Sequence, residues 1–175
     1  MAKPKEPEQV KLFIGILYSD AEPLAKAKVM LREKYGDIDY ESPPFEFKVT
    51  DYYCAEMGSP ICRVFLSFRQ LINPKEIARI KMETNDLEEQ LAVVGKRRIN
   101  LDPGYLDTDK VVLASAKYRS QKVYLDFGIY ADLTLHYEKG NYYPFPWSFP
   151  DFKSGEYNRA FQRIRELYKV QRKDR

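Results

Sequence analysis

Residues 11–19 carry the sequence KLFIGILYS, an almost continuous apolar run. A short run of this kind is typical of a strand covered on both faces, so it predicts a central strand rather than an edge strand. The segment that follows has apolar residues at helical spacing: Leu24, Ala27, Leu31 and Tyr35. Asp20 is placed to cap this helix and Gly36 to end it, so the chain is predicted to begin with a buried strand and an amphipathic helix.

Alternating apolar and polar residues predict a hairpin in the next segment. Residues 45–50 and 64–68 alternate with period two, and residues 58–60, Gly-Ser-Pro, lie between them as a turn. Across such a hairpin Cys54 and Cys62 are placed to face each other, although thiols in the cytosol usually stay reduced.

The remaining segments complete an α+β pattern. They are a helix from residue 73, a strand at 97–101, a turn at 102–104, a helix at 108–118, strands at 122–126 and 129–137, and a last helix from residue 155. The order holds too many consecutive strands for a doubly wound parallel sheet. The predicted fold is a single α+β domain, with a mixed, mostly antiparallel sheet of about six or seven strands packed by about four helices. Residues 1–9 are predicted to be a flexible tail and residues 10–175 the domain.

Composition limits the class of function. The chain has 29 basic and 26 acidic side chains and a net charge of +3, a near balance that argues against a dedicated duplex-binding protein. The apolar stretches are far shorter than the roughly 20 residues of a membrane span, and no apolar signal core is present, so a cytoplasmic protein is expected. One histidine and no CxxC pair argue against a structural zinc site.

The familiar catalytic and nucleotide motifs are missing from the sequence. It contains no GxxxxGK[ST] phosphate loop, no GxGxxG dinucleotide fingerprint and no GxSxG nucleophile elbow. No reaction type is therefore assigned from motifs.

Asn100 and Asp102 form the sharpest local feature. Their spacing puts both side chains on the same side of a strand end, before the predicted turn and helix. That arrangement suits an anion or a metal ion such as Mg²⁺, with Asp102 as a metal ligand or as a catalytic base. The alternative is structural, with Asp102 in an Asx-turn and Asn100 bonded to a neighbouring carbonyl.

Basic side chains flank this feature. Lys110 and Lys117 lie seven residues apart on the predicted helix, hence on one face, and Arg98 precedes them. Together they are candidates to bind phosphate or carboxylate. The alternative is a solvated helix face with ordinary ion pairs.

Two polar residues share one face of the strand predicted at 129–137. Asp132 is a candidate metal ligand, and His136 is a candidate catalytic acid or base because the pKa of imidazole lies near neutrality. A solvated sheet residue is the alternative for His136.

The segment YYPFPWSFPDF at 142–152 carries three prolines among aromatic residues. Tyr143 and Trp147 on this stiffened backbone are candidates to stack on a base or sugar ring. The alternative is that the segment pins the last helix onto the core through aromatic burial.

Several strings spread over the chain carry a family resemblance. They are KLFIGILYSD (11–20), DIDYES (37–42), NLDPGYL (100–106), VVLASAK (111–117), GIYADLTLHY (128–137) and PWSFPDF (146–152). With them the chain resembles an uncharacterised prokaryotic family of domains of unknown function, whose members are sometimes labelled GTP-binding protein. The label implies a nucleotide ligand. The chain lacks both the phosphate loop and an Asn-Lys-x-Asp guanine-reading motif, so a nucleotide would bind in another manner.

Two hypotheses of function follow. The first is a cleft for an anionic small molecule or nucleotide, with Mg²⁺ as candidate cofactor, formed by Arg98, Asn100, Asp102, Lys117 and His136. The second is a non-enzymatic interaction module that docks protein or RNA through residues 142–152 and the basic last helix. Nucleic acid is the less favoured partner, and no membrane contact is expected.

Overall fold

The computed structural model describes residues 1–173. Within them the strands are β1 Val10–Tyr18, β2 Ile38–Glu41, β3 Phe45–Glu46, β4 Cys62–Ile72, β5 Ile99–Leu106, β6 Lys110–Ser115, β7 Val123–Asp126, β8 Ile129–Glu138 and β9 Asn141–Pro144. The α-helices are α1 Ala21–Tyr35, α2 Cys54–Met57, α3 Ile77–Gln90, α4 Pro150–Lys153 and α5 Asn158–Lys173. The predicted tail at residues 1–9 carries no helix or strand, and its flexibility stays a prediction.

One sheet holds the nine strands of the described residues, in the order β2-β4-β1-β5-β6-β8-β7, with β3 beside β4 and β9 beside β8. Every pairing between these strands is antiparallel. The α+β fold class is confirmed, whereas the sheet has more strands than predicted and is antiparallel rather than mixed. Strand β1 lies between β4 and β5, as its apolar run predicts.

Helices cover both faces of the sheet, which explains the apolar run in β1. Leu12, Ile14 and Ile16 pack in the cluster that contains α1 and α3. Phe13 points to the opposite face, where its ring centroid lies 5.1 Å from that of Phe161 in α5. Each such buried side chain contributes about 1.5–3 kcal/mol relative to exposure.

The predicted helix starts are confirmed by their caps. The Asp20 carboxylate accepts a hydrogen bond from the backbone N–H of Glu22. Asn73 and Glu76 form a reciprocal capping box ahead of α3, with a 3₁₀ turn at Pro74–Glu76. These side chains satisfy backbone donors that a helix start leaves free.

The predicted helix at 108–118 is wrong, because the segment forms β6. Residues 111–114 of β6 are all buried. Because both faces of this strand are covered, its sequence lacks the alternation of apolar and polar residues that distinguishes a strand from a helix. The turn that joins β5 to β6 lies later in the chain than predicted: the Asp107 carboxylate accepts from the backbone N–H groups of Asp109 and Lys110.

The predicted turn at 102–104 is also wrong, since these residues continue β5. Pro103 pairs with Ile14 and Gly104 with Phe13 of β1. The backbone N–H of Leu101 points away from β1 to a side chain of α3, and by the two-residue period of a strand the nitrogen of Pro103 faces the same side. Proline is tolerated there because no neighbouring strand takes a hydrogen bond from that position.

The predicted hairpin forms only in part. Phe45 pairs with Arg63 and Glu46 with Cys62, but helix α2 follows instead of a simple turn. Cys54 lies in α2 and not on a strand opposite Cys62, and both thiols are free within residues 1–173.

Candidate functional site

The sheet splits between β5 and β6. Their pairing covers only residues 104–106 of β5 and 111–113 of β6. Because Pro103 has no N–H to donate, the ladder cannot continue past Gly104, and residues 99–103 of β5 remain paired with β1 alone.

Where β5 is not paired with β6, side chains of α3 bond to its free edge instead. Lys81 donates its Nζ to the carbonyl oxygen of Leu101 at 2.8 Å. Glu88 Oε1 accepts from the N–H of the same Leu101 at 2.5 Å. Both backbone groups of this buried residue are therefore satisfied by charged side chains rather than by a strand.

The split opens into a cavity of about 330 Å³, which we call the split-sheet cavity. Its basic side chains are Arg63, Lys81, Arg97, Lys117, Arg119 and Lys122. Its acidic side chains are Glu88, Asp102, Asp132 and Asp151. Its aromatic side chains are Phe47, Tyr52, Tyr53, Phe149 and Phe152. Aromatic walls with converging charges are typical of ligand sites.

Arg63 is a buried cation of the cavity that is surrounded by aromatic rings. Its side chain is 7% exposed. The guanidinium carbon lies between 5.1 and 5.9 Å from four ring centroids, those of Phe47, Phe65, Phe152 and Tyr157. Such rings attract the cation but accept no conventional hydrogen bond from its Nε.

The acidic side chains near Arg63 lie too far from its guanidinium to form close charge-assisted hydrogen bonds. Asp151 Oδ2 lies 3.5 Å from Nε and Asp102 Oδ2 lies 3.9 Å from Nη1. The buried Nε finds no hydrogen-bond partner among residues 1–173. A buried donor that finds no acceptor carries a desolvation cost.

Gly15 of β1 makes room for Arg63. A Cβ at this position would lie 3.3 Å from Nη1 of Arg63 and 3.1 Å from the Phe65 ring. The lack of a side chain at this position therefore leaves space on the sheet for the guanidinium.

Asn100 and Asp102 lie on the same side of β5, as the period predicts. Asn100 Nδ2 donates to Asp102 Oδ2 at 2.8 Å. The other oxygen of Asp102 lies 3.6 Å from Nζ of Lys81. Asp102 thus lies between Lys81 and Arg63.

A buried ion pair closes another side of the cavity. Lys122 Nζ lies 3.2 Å from Asp132 Oδ2, with side-chain exposures of 2% and 6%. Lys122 also donates to Oγ of Ser115 at 2.7 Å. Both partners are needed, since either charge alone would be buried without compensation.

Glu88 has an unusual protonation equilibrium. Burial raises the pKa of its carboxyl to about 7, against the smaller lowering effects of Lys81, the Leu101 N–H and Arg97. Asp102 raises the pKa further through like charge. A carboxyl that titrates near neutral pH in a cavity is a recognised mark of functional sites.

Replacing Glu88 with glutamine is expected to remove a pH-dependent loss of stability. Between the ordinary pKa of 4.5 and about 7, the folded state keeps a proton that the unfolded state releases, so stability falls as pH rises. The whole loss is about 3 kcal/mol. Urea unfolding should therefore show Glu88→Gln more stable than wild type by about 2–3 kcal/mol at about pH 8, with little difference near pH 4.

The exposed neighbour Glu89 supplies the control. Glu89→Gln should follow the wild-type pH profile. A Glu88→Gln profile parallel to that of wild type would show that Glu88 does not titrate near neutrality.

The cavity brings together four of the residues predicted from the sequence: Asn100, Asp102, Lys117 and Asp132. Lys117 lies with its Nζ 5.2 Å from the ring centroid of Tyr52. Their proximity arises from β5, β6 and β8 lying side by side on the sheet, not from the predicted helix.

Two predicted cations have other partners. Arg98 donates to Asp20 Oδ2 at 2.8 Å and so ties the start of β5 to the N-terminus of α1. Lys110 forms an ion pair with Asp107 at the β5–β6 turn. Neither is among the residues that line the split-sheet cavity.

His136, Tyr143 and Trp147 also lie outside the cavity lining. His136 pairs with Lys110 on one side and Tyr143 on the other, and its buried Nδ1 has no hydrogen-bond partner within residues 1–173. Trp147 donates its Nε1 to the carbonyl of Leu133 at 2.8 Å and stacks on Phe145. His136 and Asp102 are thus not members of one catalytic pair.

The carboxylates proposed for Mg²⁺ both face cations. Asp102 lies near Lys81 and Arg63, and Asp132 is paired with Lys122. Within residues 1–173 no group of three or more His, Cys, Asp or Glu side chains is arranged to hold a metal ion. A metal ion at either carboxylate would have to compete with the cation that already lies beside it.

The sequence patterns did not point to Arg63, Lys81 and Glu88. Lys81 and Glu88 are seven residues apart on α3 and lie, with Thr84, among its buried residues, so polar residues at helical spacing were the available signal. Arg63 shares a strand face with Phe65 and Ser67, which was the corresponding signal in β4.

Comparison with known families identifies the chain at the level of its domain. Residues 8–168 match the sequence model of a family described as Domain of unknown function (DUF4416). The chain belongs to the DUF4416 family. The predicted resemblance to a family of unknown function is thereby confirmed, while the prokaryotic origin and the GTP-binding label stay predictions. No curated protein and no solved structure matches this DUF4416 chain.

None of the helices between residues 1 and 173 combines the length and apolar character required to cross a bilayer. The cytoplasmic location stays a prediction.

Proposed function

We propose that the split-sheet cavity binds an anionic small molecule, with nucleoside monophosphates as the leading class. The observation that carries the proposal is Arg63, a buried guanidinium at the cavity wall whose Nε has no hydrogen-bond partner within residues 1–173. A buried donor left unbonded costs about 1–3 kcal/mol, and an anionic oxygen would remove that cost.

The charge of the cavity supports an anion. Basic side chains outnumber acidic ones among the lining residues, six to four. Several of the acid–base distances, 3.5–3.9 Å for Arg63 and 3.6 Å for Lys81, are longer than a charge-assisted hydrogen bond. The cations therefore retain capacity for a stronger acceptor.

The aromatic lining supports a ligand with a ring. Tyr52 and Tyr53 line the cavity from the segment before α2, and Phe149 lines it from the segment before α4. Base–aromatic stacking is worth about 1–3 kcal/mol and does not require a phosphate loop. A volume of about 330 Å³ lies at the small end of ligand cavities, which suits a monophosphate better than a larger nucleotide.

Titration calorimetry with the four common nucleoside monophosphates and with uncharged adenosine tests the proposal. We expect at least one monophosphate to bind, and adenosine to bind at least about tenfold more weakly, because the charge-assisted bonds are lost. Arg63→Met should weaken the monophosphate by about tenfold or more.

Two further variants protect the test against a folding defect in Arg63→Met. Lys117→Ala removes an exposed cation from the cavity rim and should weaken the same ligand severalfold. Arg79→Met, on an exposed arginine paired with Glu76, is the matched control and should bind as wild type does. Equal affinity of wild type, Arg63→Met and Lys117→Ala would exclude the cavity as the site.

The interaction-module hypothesis has less support. Two arginines of the last helix already have acidic partners, with Arg163 paired to Glu166 and Arg172 to Glu8. The basic stripe that would attract RNA is therefore partly neutralised.

A further inference from the structure

Glu88 holds a buried carboxylate in the wall of the split-sheet cavity. Its side chain is 9% exposed, and its Oε1 is fixed by the N–H of Leu101 at 2.5 Å. Its Oε2 lies 3.9 Å from Nη1 of Arg97. The hydrogen bond from Leu101 therefore holds the carboxyl group in one position, whether or not its second oxygen is protonated.

Charged and titratable groups face Glu88 from each neighbouring element. Lys81 lies on the same helix α3, Arg97 on the segment before β5, Asp102 on β5 and Tyr53 just before α2. The two cations lower the pKa of Glu88 and Asp102 raises it. Tyr53 stays neutral near pH 7, because burial raises its pKa to about 12.

An anion in the cavity shifts this balance in one direction. Lys81 and Arg97 line the same cavity, so a bound anion competes with Glu88 for their charge. The anion also adds negative charge to the surroundings of a poorly solvated carboxylate. Both effects favour the neutral carboxyl over the carboxylate.

We infer that anion binding in the split-sheet cavity is coupled to the uptake of a proton by Glu88. The inference rests on the proposed function and describes the bound state of the same site. In that state Glu88 is a neutral carboxyl beside the bound anion, and Lys81 and Arg97 interact with the ligand.

The coupling is measurable because Glu88 is already close to its midpoint. Its pKa of about 7 in the free protein leaves it about half ionised at neutral pH. By linkage, an anion that raises the pKa of Glu88 must bind more weakly where Glu88 is ionised. If the bound-state pKa is about 9 or more, affinity falls about tenfold between about pH 6 and pH 8.

Inorganic sulfate is the probe, because it remains a dianion over this whole pH range whereas phosphate titrates within it. Calorimetry at pH 7 in two buffers of different ionisation enthalpy gives the number of protons taken up. We expect about half a proton per sulfate at pH 7 and a tenfold weaker affinity at pH 8 than at pH 6.

Four variants assign the proton and the anion site. Glu88→Gln keeps an oxygen for the Leu101 N–H and should bind sulfate with one affinity at both pH values, without proton uptake. Glu89→Gln and His136→Gln, which alter titratable side chains outside the cavity lining, should retain the wild-type pH dependence. Arg63→Met should lose sulfate binding, which separates the site from the general salt effect of sulfate on stability.

The possible outcomes separate the proton coupling from the proposed anion binding on which it rests. Sulfate binding that needs Arg63 but has the same affinity at both pH values overturns the coupling and leaves the anion site standing. A pH dependence that survives in Glu88→Gln assigns the proton to another group and also overturns it. Sulfate that does not bind wild type at either pH overturns the coupling together with the anion site.

Discussion

Replacing Lys122 with methionine is expected to lower the free energy of unfolding by about 3–5 kcal/mol. The Lys122 side chain is 2% exposed, and its Nζ lies 3.2 Å from Oδ2 of Asp132, whose side chain is 6% exposed. Methionine fills a similar volume but leaves the Asp132 carboxylate buried without a counter-charge. The hydroxyl of Ser115 also loses its donor. Chemical denaturation at neutral pH measures the loss.

A second substitution tests whether the unpaired charge is the cause. Adding Asp132→Leu to Lys122→Met removes the orphaned carboxylate, and the double variant should recover most of the lost stability, because an apolar pair often replaces a buried ion pair without cost. Arg163→Met breaks the exposed pair with Glu166 and should cost no more than about 1 kcal/mol. A double variant less stable than Lys122→Met would instead attribute the loss to packing.

Replacing Gly104 with alanine is expected to destabilise the fold by about 3 kcal/mol or more. A Cβ there would lie 2.6 Å from the backbone oxygen of Val112 and 2.6 Å from Cζ of Phe13. Val112 belongs to the paired strand β6, so its carbonyl cannot move aside alone. Thermal unfolding should show a fall of several degrees or more.

Gly15 is the matched control, since it lies in β1 of the same sheet. Its nearest neighbours are the side chains of Phe65 and Arg63 at 3.1 and 3.3 Å, and these can shift by the few tenths of an ångström required. Gly15→Ala should therefore cost clearly less than Gly104→Ala. Equal losses would show that backbone proximity is not the limiting factor at Gly104.

Local patterns were sufficient to predict much of the fold. The cap at Asp20, the helix start at residue 73 and the period of β8 depend on neighbours in sequence, so they were predicted correctly. Strand β6 was mistaken for a helix because residues 111–114 are apolar without alternation. Only the neighbouring strands β5 and β8 decide between the two structures, and that contact is not local.

The candidate site was likewise predicted only where it depends on local sequence patterns. The shared orientation of Asn100 and Asp102 follows from strand geometry, and the structure has it. Lys81 and Glu88 could not be connected to them, because the connection needs β6 to leave β5 and α3 to fill the gap. The residue that causes the split, Pro103, was instead taken as evidence of a turn.

The two bonds of α3 to Leu101 have a consequence for the entropy of binding. Fixing a mobile lysine or glutamate costs up to about 2 kcal/mol of rotamer freedom. Lys81 and Glu88 have already lost that freedom on folding, since each is held against the backbone of β5. An anion bound in the cavity as proposed would therefore lose little of its interaction energy to ordering these two side chains.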